Sequence, residues 1–194
     1  VLRQPLEDRR ITISRSKYTV EYPCSFMFVA SMNPCPCGYY GDPTHKCVCS
    51  PGQIQRYMNK ISGPLLDRID IHIRVPRVAY QELTSKRRAE SSETIRGRVE
   101  QARQRQLARL HPFGRFCNAQ MNHTILQRVC PLTEEAQSLL ELAFRRMNLS
   151  ARSYDRIIKV ARTIADLDGA PEEIAAKHIA EAVQLRSDIG LSVE

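Results

Sequence analysis

Four cysteines in two Cys-x-Cys pairs, Cys35/Cys37 and Cys47/Cys49, lie within "NPCPCGYYGDPTHKCVCSP", residues 33–51. Nine residues separate Cys37 from Cys47, enough for the loop to fold back on itself. Four thiolates can enclose a tetrahedral Zn²⁺ and leave no open position for a water, so such an ion would be structural. His45, inside the loop, can replace one ligand. The same residues also suit reduced thiols without a metal, or a redox pair. Seven cysteines is an odd count, and "VLRQPLEDRR" lacks the charge-then-apolar order of a signal peptide. A reducing cytoplasm is the expected setting, with clustered thiols as ligands or free thiols in preference to disulfides.

Three polar positions add chemistry. Asn33 follows the apolar run "FMFVASM", at the edge where α/β sheets bind ligands. Its carboxamide can orient a water or touch a phosphate oxygen, or simply begin a turn before Pro34. Arg68 in "LLDRID" sits between a helix end and a strand, flanked by Asp67 and Asp70. It reads as a local ion pair or as an arginine aimed at a neighbouring subunit's nucleotide. Arg152 falls in the first turn of a helix capped by Ser150 or Ser153, where the helix dipole disfavours a cation. An anion opposite would offset that cost, with Arg156 one turn on as the alternate. A solvated arginine is the plain alternative.

These residues need elements to hold them. "ITISRSKYTVEYP" alternates on both sides of "SRSK" and reads as a β-hairpin ended by Pro23. Residues 26–32 are apolar on both parities, the pattern of a central strand covered on both faces. Ser50 and Pro51 begin a short helix. "GPLLDR" forms another turn, and "IDIHIRVP" alternates as a further strand. From residue 78 the composition becomes polar. "SETIRGRVEQARQRQLARL" then places Ile95, Val99, Ala102, Leu107 and Leu110 on one side of a long amphipathic helix. Asn122 caps the next helix and Thr133 the one after it, whose core stripe is Ala136, Leu139, Leu140, Ala143, Phe144 and Met147. A helix from residue 151 ends at Gly169, and a last one starts with Pro171 in its first turn.

The layout is a partial α/β core over 1–78 carrying the cysteine loop, a basic linker and long helix over 79–118, and an all-α domain over 119–194. The sheet is incomplete, because a doubly wound core needs more strands than these. The chain has 194 residues and a net charge of +8, an excess that favours polyanions such as nucleic acid. Candidate phosphate contacts are Arg9, Arg10, Arg15 and Lys17 around the hairpin, and Lys86, Arg87 and Arg88 in the linker. The long helix adds Arg96, Arg98, Arg103, Arg105 and Arg109, equally readable as a solvated face. No apolar run is long enough to span a membrane.

Taken in order, Asn33-Pro-Cys-Pro-Cys-Gly, "YGDP", "CVCSPGQIQRYMNKISGPLLDRIDIHIRVP" and "LSARSYDRIIKVARTIADL" resemble the magnesium-chelatase-like ComM/YifB family of AAA+ ATPases across essentially the whole chain. The resemblance implies an AAA+ core followed by a helical lid. It implies sensor 1 at Asn33, a trans-acting arginine finger at Arg68 and sensor 2 at Arg152. It places the hairpin at the pore-facing, DNA-facing position. It also implies ATP and Mg²⁺ as cofactors, a homo-oligomeric hexameric ring, and DNA as partner in helicase or branch-migration work.

The chain departs from the family by containing no G-x-x-x-x-G-K-[ST] loop and no apolar strand ending in Asp-Glu. The expectation is a C-terminal portion of a longer ATPase, inactive alone. Two alternatives remain at this stage: the motor subunit of a metal chelatase acting on a partner protein, and a stand-alone zinc-stabilised DNA-binding module.

Overall fold

The computed structural model describes residues 2–78, 80, 84, 89–169 and 172–187. It divides into two compact units. No helix among the described residues is long and apolar enough to cross a membrane.

The first unit takes in residues 2–69 and 75–77. Helix α1 (Arg3–Asp8) ends at Arg9, which adopts a left-handed φ of 55° and donates its N–H to Pro5 O. Strands β1 (Arg10–Arg15) and β2 (Tyr18–Pro23) follow as an antiparallel pair, in register from Arg10↔Pro23 to Arg15↔Tyr18. The expected hairpin is therefore present. Across it Ser14 and Thr19 hydroxyls meet at 3.0 Å, and Arg10 pairs with Glu21 at 3.2 Å. Nearly every position of the ribbon is exposed.

The run 26–32 is not a strand. It has no ladder partner, and Met27 and Val29 are 89% and 81% exposed. The same holds for 71–75, where Ile73 and Val75 lie open. The physical reason is that a strand exists only by pairing its backbone with a neighbour, and among the described residues the hairpin is the only ladder. The two apolar runs keep strand composition without strand bonding.

Helix α2 (Pro51–Met58) has a full capping box: the Ser50 hydroxyl accepts from Gln53 N, and the Gln53 carboxamide accepts from Ser50 N. Helix α3 (Gly63–Leu66) is a single turn that delivers the chain to Arg68.

The second unit comprises residues 70–74 and most of the chain from 78 on. Its helices are α4 (Ser92–Leu110), α5 (His123–Val129), α6 (Glu134–Arg146), α7 (Ala151–Leu167) and α8 (Ala176–Ser187). Asn122, Thr133 and Ser150 each cap the helix that follows by accepting a backbone N–H. Gly169, at φ 74°, lets the chain leave α7 through the left-handed region. Leu110, Leu126, Leu140, Ile157, Ile158, Ile174 and Ile179 form the buried centre.

Two expectations shift here. Helix α4 buries Ala102, Gln106 and Leu110, while Ile95, Val99 and Leu107 stay exposed, so only its C-terminal half packs. The last helix begins at Ala176, because Ile174 spends its backbone on a short parallel bridge with Leu132, donating to Pro131 O and accepting from Thr133 N. Pro171 and the linker residues Lys86, Arg87 and Arg88 lie outside the described residues.

Candidate metal centre and polar sites

The cysteine loop closes on itself. Pro34 restricts the residue before it to extended backbone. The chain then reverses at Gly38, whose φ is 83° and whose N–H donates to Cys35 O at 3.0 Å. On the far side Asp42 organises a second turn by accepting from Thr44 N, the Thr44 hydroxyl and His45 N. These donors hold the Asp42 carboxyl down at about 2, the Thr44 hydroxyl contributing most.

The two turns bring the thiols together. Sγ separations are 3.3 Å for Cys35–Cys37, 3.7 Å for Cys35–Cys47 and 3.5 Å for Cys37–Cys47. With Cys49 included, all four sulfurs lie within 4.8 Å of one another. A tetrahedral Zn–S₄ centre with bonds of about 2.3 Å has S···S edges of ~3.8 Å, so the cage fits such an ion with small adjustments.

Electrostatics point the same way. Backbone N–H groups of Tyr39 and Val48 pull Cys37 down to about 6. Cys47 receives a favourable N–H from Cys49, yet desolvation and the hydrogen bonds from Cys37 and Cys35 push it up to about 12. Desolvation likewise raises Cys49. One thiolate forms readily and its neighbours resist, until a cation compensates the accumulated charge. His45 is not in the cage. It stacks on Tyr39 at 5.1 Å, and its Nδ1 lies 2.8 Å from Arg77 Nη1. Cys130 is buried elsewhere, its thiol raised to about 11 by desolvation.

Asn33 stands at the entrance to this loop, exposed, with its Nδ2 4.0 Å from where a Cβ on Gly38 would sit. Arg68 is folded down within the first unit: Nη1 donates to Pro64 O at 2.5 Å, Nη2 pairs with the Glu7 carboxylate, and the side chain is 15% exposed. Around the hairpin, Arg15 and Lys17 are exposed, Arg10 is engaged by Glu21 and Arg9 forms the α1 terminus.

In the second unit Arg152 lies exposed in the first turn of α7. It lines a groove of about 640 Å³ together with His123, Leu140, Phe144 and Tyr154. The exposed lower half of the α6 stripe is thereby explained: Phe144 faces this groove, edge-on to Tyr154 at 6.4 Å. Arg156, one turn on, is instead paired with Asp70 at 2.5 Å.

A buried polar cluster escaped the sequence reading. The Asp166 carboxylate is fully buried and accepts from Arg109 (2.6 and 2.9 Å), Asn118 Nδ2 (2.9 Å) and Arg162 Nε (3.2 Å). Arg162 is itself fully buried and also donates to Glu172 O. Arg105 donates to the carbonyl of Asp166, and Arg98 pairs with Glu90. Arg103 donates to the Gln106 carboxamide at 3.3 Å, so four of the arginines read as possible phosphate contacts on α4 are occupied within the protein. The i,i+4 spacing of Arg162 and Asp166 was the available signal.

Two family models match. Residues 1–83 match "Magnesium chelatase, subunit ChlI", and residues 89–186 match "Magnesium chelatase, subunit ChlI C-terminal". Similar proteins include Competence protein ComM of Haemophilus influenzae, 42% identical over 191 residues, covering 98% of this chain and 36% of that protein. The YifB proteins of Escherichia coli and Salmonella typhimurium are 38% and 36% identical, each over 96% of this chain and 36% of their own length. The chain therefore spans about a third of the length of these relatives.

Proposed function

Because this chain belongs to the magnesium chelatase subunit ChlI family, we propose that it is the sensor, arginine-finger and lid part of a ring-forming AAA+ ATPase that remodels DNA. The observation that carries the reading is Arg152. It is a cation in the first turn of a 17-residue helix and lines a groove of about 640 Å³, within reach of an anion that enters this groove. A nucleotide γ-phosphate is such an anion.

In this reading Asn33 orients the attacking water at the γ-phosphate. Arg68 acts on the nucleotide of the adjacent subunit, which requires its guanidinium to exchange Glu7 for the phosphate. A finger of this kind lowers the barrier by ~4–7 kcal/mol, the equivalent of a 10³–10⁵ rate effect. The exposed ribbon β1–β2, with Arg15 and Lys17 at its tip, tracks the DNA backbone, and its contacts are electrostatic and indifferent to sequence.

The residues that cradle Mg-ATP are not among these 194, which contain no G-x-x-x-x-G-K-[ST] loop. The chain by itself should not turn over ATP. The four-cysteine cage holds a structural zinc through Cys35, Cys37, Cys47 and Cys49, supported by the sulfur spacing.

The test uses the full-length protein. Arg68→Ala subunits are mixed with subunits whose phosphate-binding lysine is replaced. Mixed rings in which only wild-type fingers face competent sites should hydrolyse ATP, and Arg68→Ala rings should lose about 10³-fold or more. Unchanged turnover by Arg68→Ala rings would sink the finger role. The family's name, magnesium chelatase, prompts a second reading, in which the chain belongs to a metal-chelatase motor that acts on a protein partner. Salt-sensitive DNA binding supports the first reading, and an absence of DNA binding at any salt supports the second.

A further inference from the structure

We infer that one face of the β1–β2 ribbon stacks on the unpaired bases of a nucleic-acid strand, so that this hairpin takes single-stranded DNA in preference to duplex. The inference rests on the DNA reading above and names the form of DNA that the hairpin holds. Residues directly opposite each other in an antiparallel pair share a face. The register therefore puts Ile11 with Tyr22, Ile13 with Val20 and Arg15 with Tyr18 on one side of the ribbon. The other side carries Thr12 with Glu21 and Ser14 with Thr19, and there Glu21 is paired with Arg10. The ribbon is thus sorted into an apolar, aromatic face and a polar one. The apolar face lies open: Tyr18 is 64% exposed, Tyr22 53%, Ile13 48% and Val20 36%.

The chemistry of that face selects its occupant. Its only charged residue is a cation, Arg15, directly opposite Tyr18, and Lys17 follows in the turn. A polyanion matches both charges. Tyrosine offers a ring for stacking while its hydroxyl stays in water. Tyr18 and Tyr22 stand four residues apart on one strand, ~14 Å along it, with Val20 between them on the same side. A single strand laid along the ribbon can set a base on each ring and a phosphate at Arg15. Stacking of this kind accepts every base, because every base has a π-face. A duplex fits poorly. Its base faces are covered by their stacked neighbours, so its phosphates would be desolvated against Ile13 and Val20 without return.

The experiment measures fluorescence anisotropy of three labelled probes with the full 194-residue chain: a thymine oligonucleotide, an abasic strand of the same length, and a duplex of the same length. The wild-type chain should bind the thymine strand tightest. Tyr18→Ala with Tyr22→Ala should weaken that binding by about 5- to 150-fold per ring. The same variant should leave its salt slope unchanged, since no phosphate contact is removed, and should leave the abasic strand and the duplex as they were. Tyr18→Phe with Tyr22→Phe keeps both rings and should keep the affinity. The thymine-against-abasic comparison uses the wild-type chain and stands even if the alanine variant disturbs the ribbon. Equal wild-type affinity for thymine and abasic strands overturns the inference and leaves the DNA reading standing. So does an alanine variant that binds the thymine strand as the wild type does. An equal loss on strand and duplex overturns it as well, since the face would then not be holding bases. Self-association that sedimentation shows to be lost in the alanine variant, with DNA binding unaltered, assigns the face to a second copy and overturns it too. If no probe binds at any salt concentration, the DNA reading falls and the inference with it.

Discussion

Replacing Asp166 with asparagine removes one negative charge from a site that two guanidiniums share. Asn118 Nδ2 and both arginines lose a charged acceptor. Arg162 has no route to water, since its side chain is 1% exposed, whereas that of Arg109 is 17% exposed and can turn outward. Burial already depresses the Arg162 pKa more than Asp166 restores it, so this charge depends on its partner. Breaking a buried pair by removing one side costs ~3–5 kcal/mol. The partial freedom of Arg109 puts Asp166→Asn near the low end, about 3 kcal/mol, with Asp166→Ala higher because it also leaves a void. Urea unfolding followed by circular dichroism reads this as a lower midpoint at unchanged slope. The decisive comparison is the double variant Arg162→Met with Asp166→Leu, which removes both charges together. If orphaned charge is the cause, the double variant loses less than Asp166→Asn alone. A single-variant loss below about 1 kcal/mol, or a double-variant loss equal to the sum of the singles, would refute the reasoning.

Thr133→Ala removes the cap of α6 and should cost about 1 kcal/mol in the same assay. Asp42 has a folded value of about 2, below the ~3.9 of an unfolded aspartate. Its contribution to loop order is complete above pH ~4 and disappears as the pH falls through about 2, and Asp42→Asn should abolish that dependence in an NMR titration of the Thr44 and His45 amides. Arg15→Ala with Lys17→Ala should weaken DNA binding for all sequences alike and reduce the salt slope by about 2, measured by fluorescence anisotropy at several salt concentrations.

Local devices were legible before any coordinates. The caps at Ser50, Asn122 and Thr133, a serine cap at Ser150 or Ser153, and the exit at Gly169 each depend on residues within one turn, so spelling suffices, while the Gln53 half of the Ser50 capping box emerged only in the structure. The cysteine cage was legible because its ligands are close in sequence and few other roles suit four thiols. Pairings across distance were not. Residues 26–32 carry a central-strand composition, yet a ladder needs a partner, which composition does not name. Arg109 resembled a solvent-facing cation because its counterion, Asp166, lies 57 positions away. Ile174 looked helical until its backbone proved committed to Leu132.

Helix α4 extends ~28 Å at 1.5 Å per residue, and among the described residues its buried grip lies in the C-terminal half, through Ala102, Gln106, Leu110 and the arginines seated on Asp166. The ten residues before Ala102 form an arm of ~15 Å. A tilt of about 10° at the grip swings the tip by roughly 2.6 Å, given that arm length. By that lever arm, any pivot at the grip would be amplified at the free end into a displacement of side-chain size.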